Sequence, residues 1–396
     1  MCGAPDCPLP VDLLARVIAG LLADEYGRAT RRSLPVGEVA AWSTATRLDE
    51  DGVGFDSLML MAAAQRVAEF FGLRDVGYED YLLVRRTLGE WAEIVALSWS
   101  VKHDLVTFRT SGATGPSKAC AHPYRHLVRE ALHIARLAGR PHRIVSLVAP
   151  HHIYGFLHTI VSAASLGVET VDARTVAPGS RRRQLRADDF LIATPYVWNL
   201  LAEEGGRFPE GVVGMTSTAP MPVELADRLA GSGLARLVGI YGSSETSGIG
   251  WRDDMRGPYE LLPWWRRAGQ GIAAESGEIV ALPDVVEWLD SGRLRPVRRA
   301  DGAVQIAGVN VFPAHVAETI RRHPGVTDCV VRRASAEVDS RLEAFVVFKD
   351  TAFDRDEKAR EIARFCMIEL TAPERPVHIE IGGRLPLDSM GKPTAW

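Results

Sequence analysis

A stretch rich in glycine and hydroxyl residues, TFRTSGATGPSK at positions 107–118, follows a short apolar run and ends in Lys118. Loops of this composition expose backbone N–H groups and hydroxyls that can surround a polyphosphate, and the lysine adds a point charge. The stretch is not a Walker motif, since no Lys-Ser/Thr pair follows its second glycine at the required place. A plain flexible turn has the same composition, so the stretch by itself leaves both interpretations open.

A second stretch, GFDSL at positions 54–58, places Ser57 directly after an acid at the start of an apolar helical run. Asp56 or Ser57 could simply cap that helix, since either side-chain oxygen can accept hydrogen bonds from the first amides. The hydroxyl of Ser57 could also be the attachment point of a prosthetic group. Both interpretations fit these residues alone.

The elements that carry the second stretch are helical. Apolar residues recur at helical spacing between Val11 and Leu22, which predicts a first helix. A second helix is predicted from Ser57 or Leu58 to Phe71, with Gly72 as its C-cap. A last helix starts at TLGE, where Thr87 and Glu90 form a capping box. Residues 11–97 therefore read as a small helical unit.

From Leu105 onward, short β-branched runs alternate with helical segments. Such alternation predicts a mostly parallel sheet with helices packed on it. Strands are expected at 105–108, 143–149, 189–194 and 235–242, and helices at 123–138, 195–204 and 222–231.

The last third of the chain, from about Ala300, has an α+β pattern of its own. Helices are expected at 313–323 and 354–370, with strands at 328–333, 342–348 and 377–382. We therefore expect an α/β protein with three parts: a helical unit over 1–100, a core over 101–299, and a small mobile α+β domain over 300–396 after a hinge.

Composition excludes several classes of protein. Among the 396 residues, 46% are hydrophobic and 24% charged, which is typical of a globular protein, and the formal net charge of −4 argues against a nucleic-acid partner. Five scattered cysteines without metal-ligand spacing favour a reducing, cytoplasmic compartment. No run of 18 apolar residues predicts a membrane span, and the N-terminus lacks a basic leader.

Six stretches occur in the order in which they stand in the adenylate-forming family, which the chain resembles from about residue 105 to its end. This family includes acyl-CoA synthetases, aryl-acid ligases and the adenylation domains of peptide synthetases. The first three are TSGATGPSK (110–118), which resembles the phosphate loop; APHHIYGF (149–156), which resembles the histidine-bearing acyl-pocket motif; and STAPMPVELADRL (217–229), which resembles the adenine turn. The last three are YGSSET (241–246), which resembles the Tyr-Gly-x-Thr-Glu motif; RRADGAVQIAGVNVFPAHVAE (298–318), which resembles the hinge with its thioester-forming loop; and LPLDSMGK (385–392), which resembles the C-terminal lysine loop.

The resemblance implies a ligase that uses ATP and Mg²⁺ to make an acyl-adenylate and then passes the acyl group to a thiol. Attack of a carboxylate on the α-phosphate concentrates negative charge, so the site needs cations and hydrogen-bond donors. Lys392 would bridge the carboxylate and the α-phosphate, Glu245 would hold Mg²⁺, and His152 would stand between the acyl pocket and the thiol tunnel. His151 would be structural. Asp301 would be the hinge of the C-terminal domain.

The same resemblance implies the residues that bind the nucleotide. One group would surround the β- and γ-phosphates, a second would hold the adenine and the α-phosphate, and a third would contact the ribose. These groups are Thr110, Ser111, Gly112, Thr114, Gly115 and Lys118; Thr218, Ala219, Tyr241, Gly242 and Ser244; and Asp284 with Arg299.

The chain departs from the family pattern at several positions. Pro116-Ser117 inverts the usual order before the lysine, Gln305 and His315 stand where Lys and Glu are common, and Asp388 replaces a Thr. The family also has a longer segment ahead of its phosphate loop, so the large domain is expected to be trimmed. Because a trimmed domain has little room for a long chain, a small aryl or short acyl acid is the expected substrate.

The first hundred residues resemble an acyl carrier protein, with Gly54, Ser57, Leu58 and Met61 matching the attachment region. This implies 4′-phosphopantetheine on Ser57; a carrier fold reduced to a structural part is the alternative. The preferred thiol is then a carrier arm, in cis or in trans, and free CoA is the second choice. A non-catalytic binding module and a carrier with a ligase-like scaffold are the rival functions, although the full set of charged site residues argues against a relic.

Overall fold

The computed structural model describes residues 8–30, 32–102, 105–109, 118–177, 179–307, 309–335, 340–349 and 354–385. Its contacts divide these residues into two compact units. The first contains the described residues up to 109 together with 118–264, and the second contains those from 265 onward. The division of the chain into parts at residues 100 and 300 stays a prediction.

The first unit begins with helices, as expected. They are α1 (Val11–Thr30), α2 (Val36–Ala40), α3 (Ser57–Phe71), α4 (Glu79–Val84) and α5 (Leu88–Val101), with a 3₁₀ turn at Leu73–Val76. The predicted C-terminal end of α3 and the predicted start of α5 are confirmed, whereas α5 continues past Leu97, where it was expected to end, to Val101. Gly72 closes α3 in the left-handed conformation with φ at 67°, and Thr87 and Glu90 form the capping box at the start of α5.

These helices share a core with the strands and helices that follow. The apolar face of α1 is fully buried, and Phe70 of α3 packs its ring 5.2 Å from Phe108 and 5.5 Å from Phe156. Trp99 of α5 lies 4.9 Å from Tyr124 and donates from Nε1 to the carbonyl of Phe71 at 2.9 Å. Each aromatic side chain buried in this way contributes on the order of 2 kcal/mol, so the helices are part of the core of this unit.

The rest of the first unit is a sheet flanked by helices. Its strands are β1 (Leu105–Arg109), β2 (Ala119–Pro123), β3 (Arg143–Ser146), β4 (Glu169–Asp172), β5 (Phe190–Ala193), β6 (Val213–Thr216), β7 (Arg236–Ser243), β8 (Ser247–Arg252) and β9 (Tyr259–Leu261). Its helices are α6 (Tyr124–Leu137), α7 (Ile153–Gly155), a π-helical segment (Phe156–Val161), α8 (Ser162–Leu166), α9 (Pro195–Glu203) and α10 (Val223–Gly231), with 3₁₀ turns at Ala173–Thr175 and Arg182–Gln184.

Within the first unit, seven of these strands form one sheet in the order β9-β8-β7-β6-β5-β3-β4. Strands β4, β3, β5, β6 and β7 are parallel, whereas β8 and β9 continue the sheet in antiparallel fashion. The strand expected at 105–108 forms as β1, but it is not part of the parallel sheet: it pairs with β2 in a separate antiparallel sheet. The predicted parallel core is therefore confirmed, and its parallel strands bring their carboxyl ends to one edge.

The second unit contains several small sheets. Its strands are β10 (Trp265–Ala268), β11 (Gly271–Ala274), β12 (Ile279–Val280), β13 (Asp284–Trp288), β14 (Arg293–Arg299), β15 (Val304–Ile306), β16 (Val309–Val311), β17 (Val326–Arg333), β18 (Leu342–Phe348) and β19 (His378–Gly382). Its helices are α11 (Pro313–Arg321) and α12 (Arg355–Glu369), with a 3₁₀ turn at Ala372–Glu374. The last three strands pair in the order β17-β18-β19, and α11 and α12 share their core. The α+β pattern predicted there is confirmed.

Among the described residues, every helix is too short or too polar to span a bilayer.

Candidate active site

Three of the predicted site segments follow the carboxyl ends of parallel strands. His152 follows β3, Thr218 and Ala219 follow β6, and the YGSSET segment forms the end of β7 and its turn into β8. Because parallel strands end at the same edge of a sheet, these segments lie along one rim. In open α/β sheets such a rim is the usual place of a ligand site.

The turn from β7 to β8 carries Glu245 with its side chain exposed. The Ser243 hydroxyl oxygen accepts hydrogen bonds from the amides of Glu245 at 3.2 Å and Thr246 at 3.3 Å. The Thr246 hydroxyl donates to the carbonyl of Ser247 at 3.0 Å. These bonds fold the turn tightly and leave the Glu245 carboxylate available to a hard cation, which prefers carboxylate oxygen.

His122 of β2 holds this turn from one side. Its Nε2 lies 2.7 Å from the carbonyl oxygen of Ser244, and since a carbonyl can only accept, the ring must donate its N–H there. Burial lowers the pKa of His122, and the Ser244 hydrogen bond and the charge of Glu245 offset only part of that effect. The ring is therefore neutral at pH 7, with its proton on Nε2.

Lys118 and Glu245 both lie near the thiol of Cys120. The pKa of Cys120 is raised, first by burial and then by the negative charge of Glu245, while Lys118 acts in the opposite direction. The structure thus brings a predicted phosphate-binding cation and the predicted metal ligand to the same part of the rim. His122 and Cys120 were not among the residues singled out from the sequence.

The segment after β6 is strained. Thr218 has φ at 77°, a conformation that β-branched residues rarely adopt. Ser217 donates to the carbonyl of Ile240 at 2.9 Å, which ties this segment to β7. Within the described part of the chain, the buried hydroxyl oxygens of Thr216 and Thr218 have no hydrogen-bond partner. Strain and unsatisfied polar atoms of this kind are typical of ligand sites.

His151 is buried and pairs with α1. Its Nε2 is 3.0 Å from the carboxylate of Asp24, and a Cβ at Gly20 would come within 2.0 Å of its Nδ1. Burial alone would raise the pKa of Asp24, but the charge and hydrogen bond of His151 outweigh it and lower that pKa well below its usual range. The N-terminal helices therefore reach the histidine motif, a contact that sequence reasoning missed.

His152 stacks on His151, with the ring centroids 4.4 Å apart, and its own side chain is exposed. The surrounding protein nevertheless lowers its pKa, first by desolvation and then through the charge of His151. Asp24, His151 and His152 bring their ligand atoms within 4.8 Å of one another. Because Arg28 and Arg174 act on the same groups, their positive charge disfavours a cation there.

In the second unit, three predicted residues come together at the end of the β13–β14 pair. Asp284 and Arg299 are partners in the strand register, with Arg299 Nε 3.9 Å from the Asp284 carboxylate. Arg299 also donates from Nη2 to Asp301 at 2.6 Å. Desolvation alone would raise the pKa of Asp301, but the hydrogen bonds from Arg299 and the amide of Ala303 lower it.

Ser57 is the first residue of α3, and its side chain is exposed. Asp56 is the N-cap, and its carboxylate accepts from the amide of Met59 at 2.8 Å. The capping function therefore belongs to Asp56, and the Ser57 hydroxyl is accessible.

Six of the predicted residues lie outside the described residues: Thr110, Ser111, Gly112, Thr114, Gly115 and Lys392.

Residues 85–313 match the sequence profile of the AMP-binding enzyme family, and the chain belongs to this adenylate-forming family. It is therefore an AMP-forming acid–thiol ligase. A 4-coumarate–CoA ligase of Rhodobacter capsulatus is 34% identical over 97% of this chain and 100% of its own length. One of Halorhodospira halophila is 33% identical, over 97% of this chain and 99% of that protein.

Solved structures with the same fold include an amide bond synthetase of Marinactinospora thermotolerans, with a TM-score of 0.60 at 16% identity over 96% of this chain and 92% of the other. An o-succinylbenzoate CoA synthetase of Bacillus subtilis aligns with a TM-score of 0.59 at 16% identity, over 95% of this chain and 90% of the other. At such identities these two structures establish the fold alone.

Proposed function

We propose that the protein is an aryl-CoA ligase that joins a small aromatic carboxylic acid of the 4-coumarate type to coenzyme A. ATP would be cleaved to AMP and pyrophosphate through an aryl-adenylate. The observation that carries this proposal is the correspondence with the Rhodobacter capsulatus 4-coumarate–CoA ligase over that protein's whole length. The match includes the helical segment ahead of the phosphate loop, so the two proteins share this segment.

The rim residues of the first unit can supply what the first half-reaction requires. Glu245 would hold Mg²⁺ through its exposed carboxylate, and Lys118 would neutralise phosphate charge beside it. Thr218, Ala219, Tyr241, Gly242 and Ser244 would contact the nucleotide. The phosphate-loop residues from Thr110 to Gly115 and the terminal Lys392 are assigned by their motifs alone. Lys392 would bridge the substrate carboxylate and the α-phosphate.

His152 would border the acyl pocket as a neutral ring. A neutral imidazole beside the acid leaves the substrate carboxylate free to attack ATP, whereas a charged ring would compete for it as an ion-pair partner. In the second unit, Asp284 and Arg299 would contact the ribose hydroxyls. Asp301, tied to Arg299, would be the hinge between the two half-reactions.

The second candidate acceptor is a phosphopantetheine arm on Ser57. The exposure of this hydroxyl favours it, as do the apolar side chains of Leu58 and Met61, which are 75% and 55% exposed on the same helix. Apolar side chains exposed beside a modification site are suited to docking a partner protein. Intact mass after treatment with CoA and a phosphopantetheinyl transferase tests this directly. A mass gain that Ser57→Ala abolishes supports the carrier role, and no gain leaves CoA as the acceptor.

Pyrophosphate exchange into ATP across a panel of cinnamic, benzoic and fatty acids tests the proposed function. We expect exchange with hydroxycinnamic acids and little with fatty acids of eight or more carbons. CoA added afterwards should give an aryl-CoA detectable by its ultraviolet absorbance. Lys392→Ala should abolish exchange. Exchange with none of the acids would favour a non-catalytic binding module, and a preference for long fatty acids would refute the aryl assignment.

A further inference from the structure

Glu130 has a carboxylate buried behind the turn that carries Glu245. It lies on the apolar face of α6, where Leu127, Ala131 and Ile134 are almost fully buried, and its own exposure is 3%. A carboxyl group in such a place is costly unless hydrogen bonds satisfy it. Its partners therefore account for its presence there.

Those partners are two residues at the start of β8. The Ser247 hydroxyl donates to Oε2 of Glu130 at 2.5 Å, and the Gly248 amide lies 3.0 Å from Oε1 and 3.1 Å from Oε2. The carboxyl group of Glu130 packs against the backbone of Gly248, since a Cβ there would come within 2.4 Å of Oε1. Glu130 thus fixes both a side chain and a main-chain group of the strand that leaves the turn.

The backbone at this point needs such support. Ser247 has φ at 62°, in the left-handed region that favours glycine. A non-glycine residue persists there only where its surroundings hold it, and such strain clusters at functional sites. The Thr246 hydroxyl donates to the Ser247 carbonyl, and the Thr246 amide donates to the Ser243 hydroxyl oxygen at 3.3 Å. The same oxygen of Ser243 accepts from the Glu245 amide. The position of Glu245 is therefore linked to that of Ser247 by a short series of hydrogen bonds.

We propose that Glu130 is a positioning residue of the adenylation reaction, which holds Ser247 and Gly248 and so sets the direction of the Glu245 carboxylate. The inference rests on the proposed role of Glu245 as the metal ligand. Mg²⁺ tolerates little departure from octahedral geometry. Loss of a residue that orients a metal ligand typically costs about 10- to 100-fold in metal affinity or activity.

Three variants distinguish the hydrogen bonds that Glu130 makes from the space that its side chain fills. Glu130→Leu keeps an apolar side chain of similar size and removes all three hydrogen bonds. Glu130→Gln keeps an acceptor for the Gly248 amide and a polar group for Ser247. Ser247→Ala removes only the hydroxyl. Glu374→Gln is the matched control, since Glu374 is a buried capping-box residue in the second unit, where it accepts from Thr371.

Two measurements are needed. The first is hydrogen–deuterium exchange of peptides covering residues 243–249, in protein without ATP or Mg²⁺. The second is the apparent KM for Mg²⁺ and for the acid in pyrophosphate exchange. We expect Glu130→Leu to speed exchange in this peptide and to raise the KM for Mg²⁺ about tenfold or more, with the KM for the acid unchanged. Glu130→Gln should stay close to wild type, and Ser247→Ala should show a smaller effect in the same direction.

If a folded Glu130→Leu protein showed the same hydrogen–deuterium exchange of this peptide as the wild type, the proposal would be overturned. An equal rise in the KM for Mg²⁺ and the KM for the acid would also overturn it. If Glu130→Leu does not fold, Ser247→Ala decides, and its unchanged KM for Mg²⁺ would count against positioning. Failure of the wild-type protein to exchange pyrophosphate would refute the proposed function instead. The peptide comparison would then still decide whether Glu130 holds the turn.

Discussion

Among single residues, Glu130 has an acid–base property that follows from its position. Burial raises its pKa from the ordinary value of 4.5 to about 7, and the hydrogen bonds from Ser247 and Gly248 and the charge of Arg129 offset only part of the rise. The folded protein therefore keeps a proton on this group at pH values where the unfolded chain has lost it. Glu130 contributes its full stability below pH 4.5 and loses it as the pH rises to about 7.

This predicts a pH-dependent difference between the wild-type protein and Glu130→Gln. Between pH 4.5 and 7, the free energy of unfolding of the wild type should fall by about 3 kcal/mol relative to the variant, which has no proton to lose. Parallel thermal melts at several pH values measure it, because contributions of other groups cancel in the difference. A constant difference across this range would show that Glu130 titrates normally.

A substitution at Glu245 should lower the activity and leave the stability unchanged. Glu245→Gln removes the charge that would hold the metal, and we expect the adenylation rate to fall about 100-fold. Because Glu245 is exposed, the melting temperature should hardly change. Pyrophosphate exchange with Mg²⁺ varied measures the effect, and Glu210→Gln, an exposed glutamate of the same unit, is the control. Full activity of Glu245→Gln would remove this residue from the site.

At the scale of elements, the contact between α1 and the segment after β3 allows no space for a side chain at Gly20. A Cβ there would meet the His151 ring at 2.0 Å. Gly20→Ala should therefore displace His151 from Asp24 and destabilise the protein by about 1–3 kcal/mol, as overpacking does. The melting temperature and the KM for the acid measure this. Gly37→Ala in α2, with open space around it, should change neither, and an unaltered Gly20→Ala protein would contradict the contact.

Elements governed by local rules were predictable. The capping box of Thr87 and the glycine at position 72 are short-range hydrogen-bond patterns. Of the parallel strands, β3, β5 and β7 are expected from the sequence, whereas β4 and β6 are not. The region of β9 to β16 was not divided into strands from the sequence. β14 reads RLRPVRR, which alternates poorly, and it is a strand because it pairs with β13. Such pairing depends on tertiary contacts that propensity does not encode.

At the scale of the whole molecule, the N-terminal helices form part of the core of the first unit. Phe70 and Trp99 cover Phe108, Phe156 and Tyr124. A tethered carrier domain would instead be separable, since few contacts would cross its boundary. This arrangement supports the alternative in which a carrier-like fold serves as structural material for the ligase.

Removal of residues 1–101 should therefore leave these aromatic rings exposed and the remaining chain unable to fold. Each uncovered aromatic side chain would cost roughly 2 kcal/mol of folding free energy. The sum over these side chains exceeds what a marginally stable protein tolerates. Expression of the shortened chain, followed by solubility, circular dichroism and limited proteolysis, measures the outcome. A soluble, cooperatively melting fragment that still exchanges pyrophosphate would show that the helices are a separable domain.

Residue order alone predicts the motifs, the helical front end, the parallel core and the α+β pattern of the last third. Each of these follows from local composition, periodicity or capping. Two long-range contacts depend on the folded structure: Glu130 holds Ser247, 117 positions away, and His122 holds Ser244, 122 positions away. A glutamate on the apolar face of α6 was a signal that a buried partner was needed. Which partner it had could not be read, because long-range hydrogen bonds arise from the packing of α6 and β2 against the sheet.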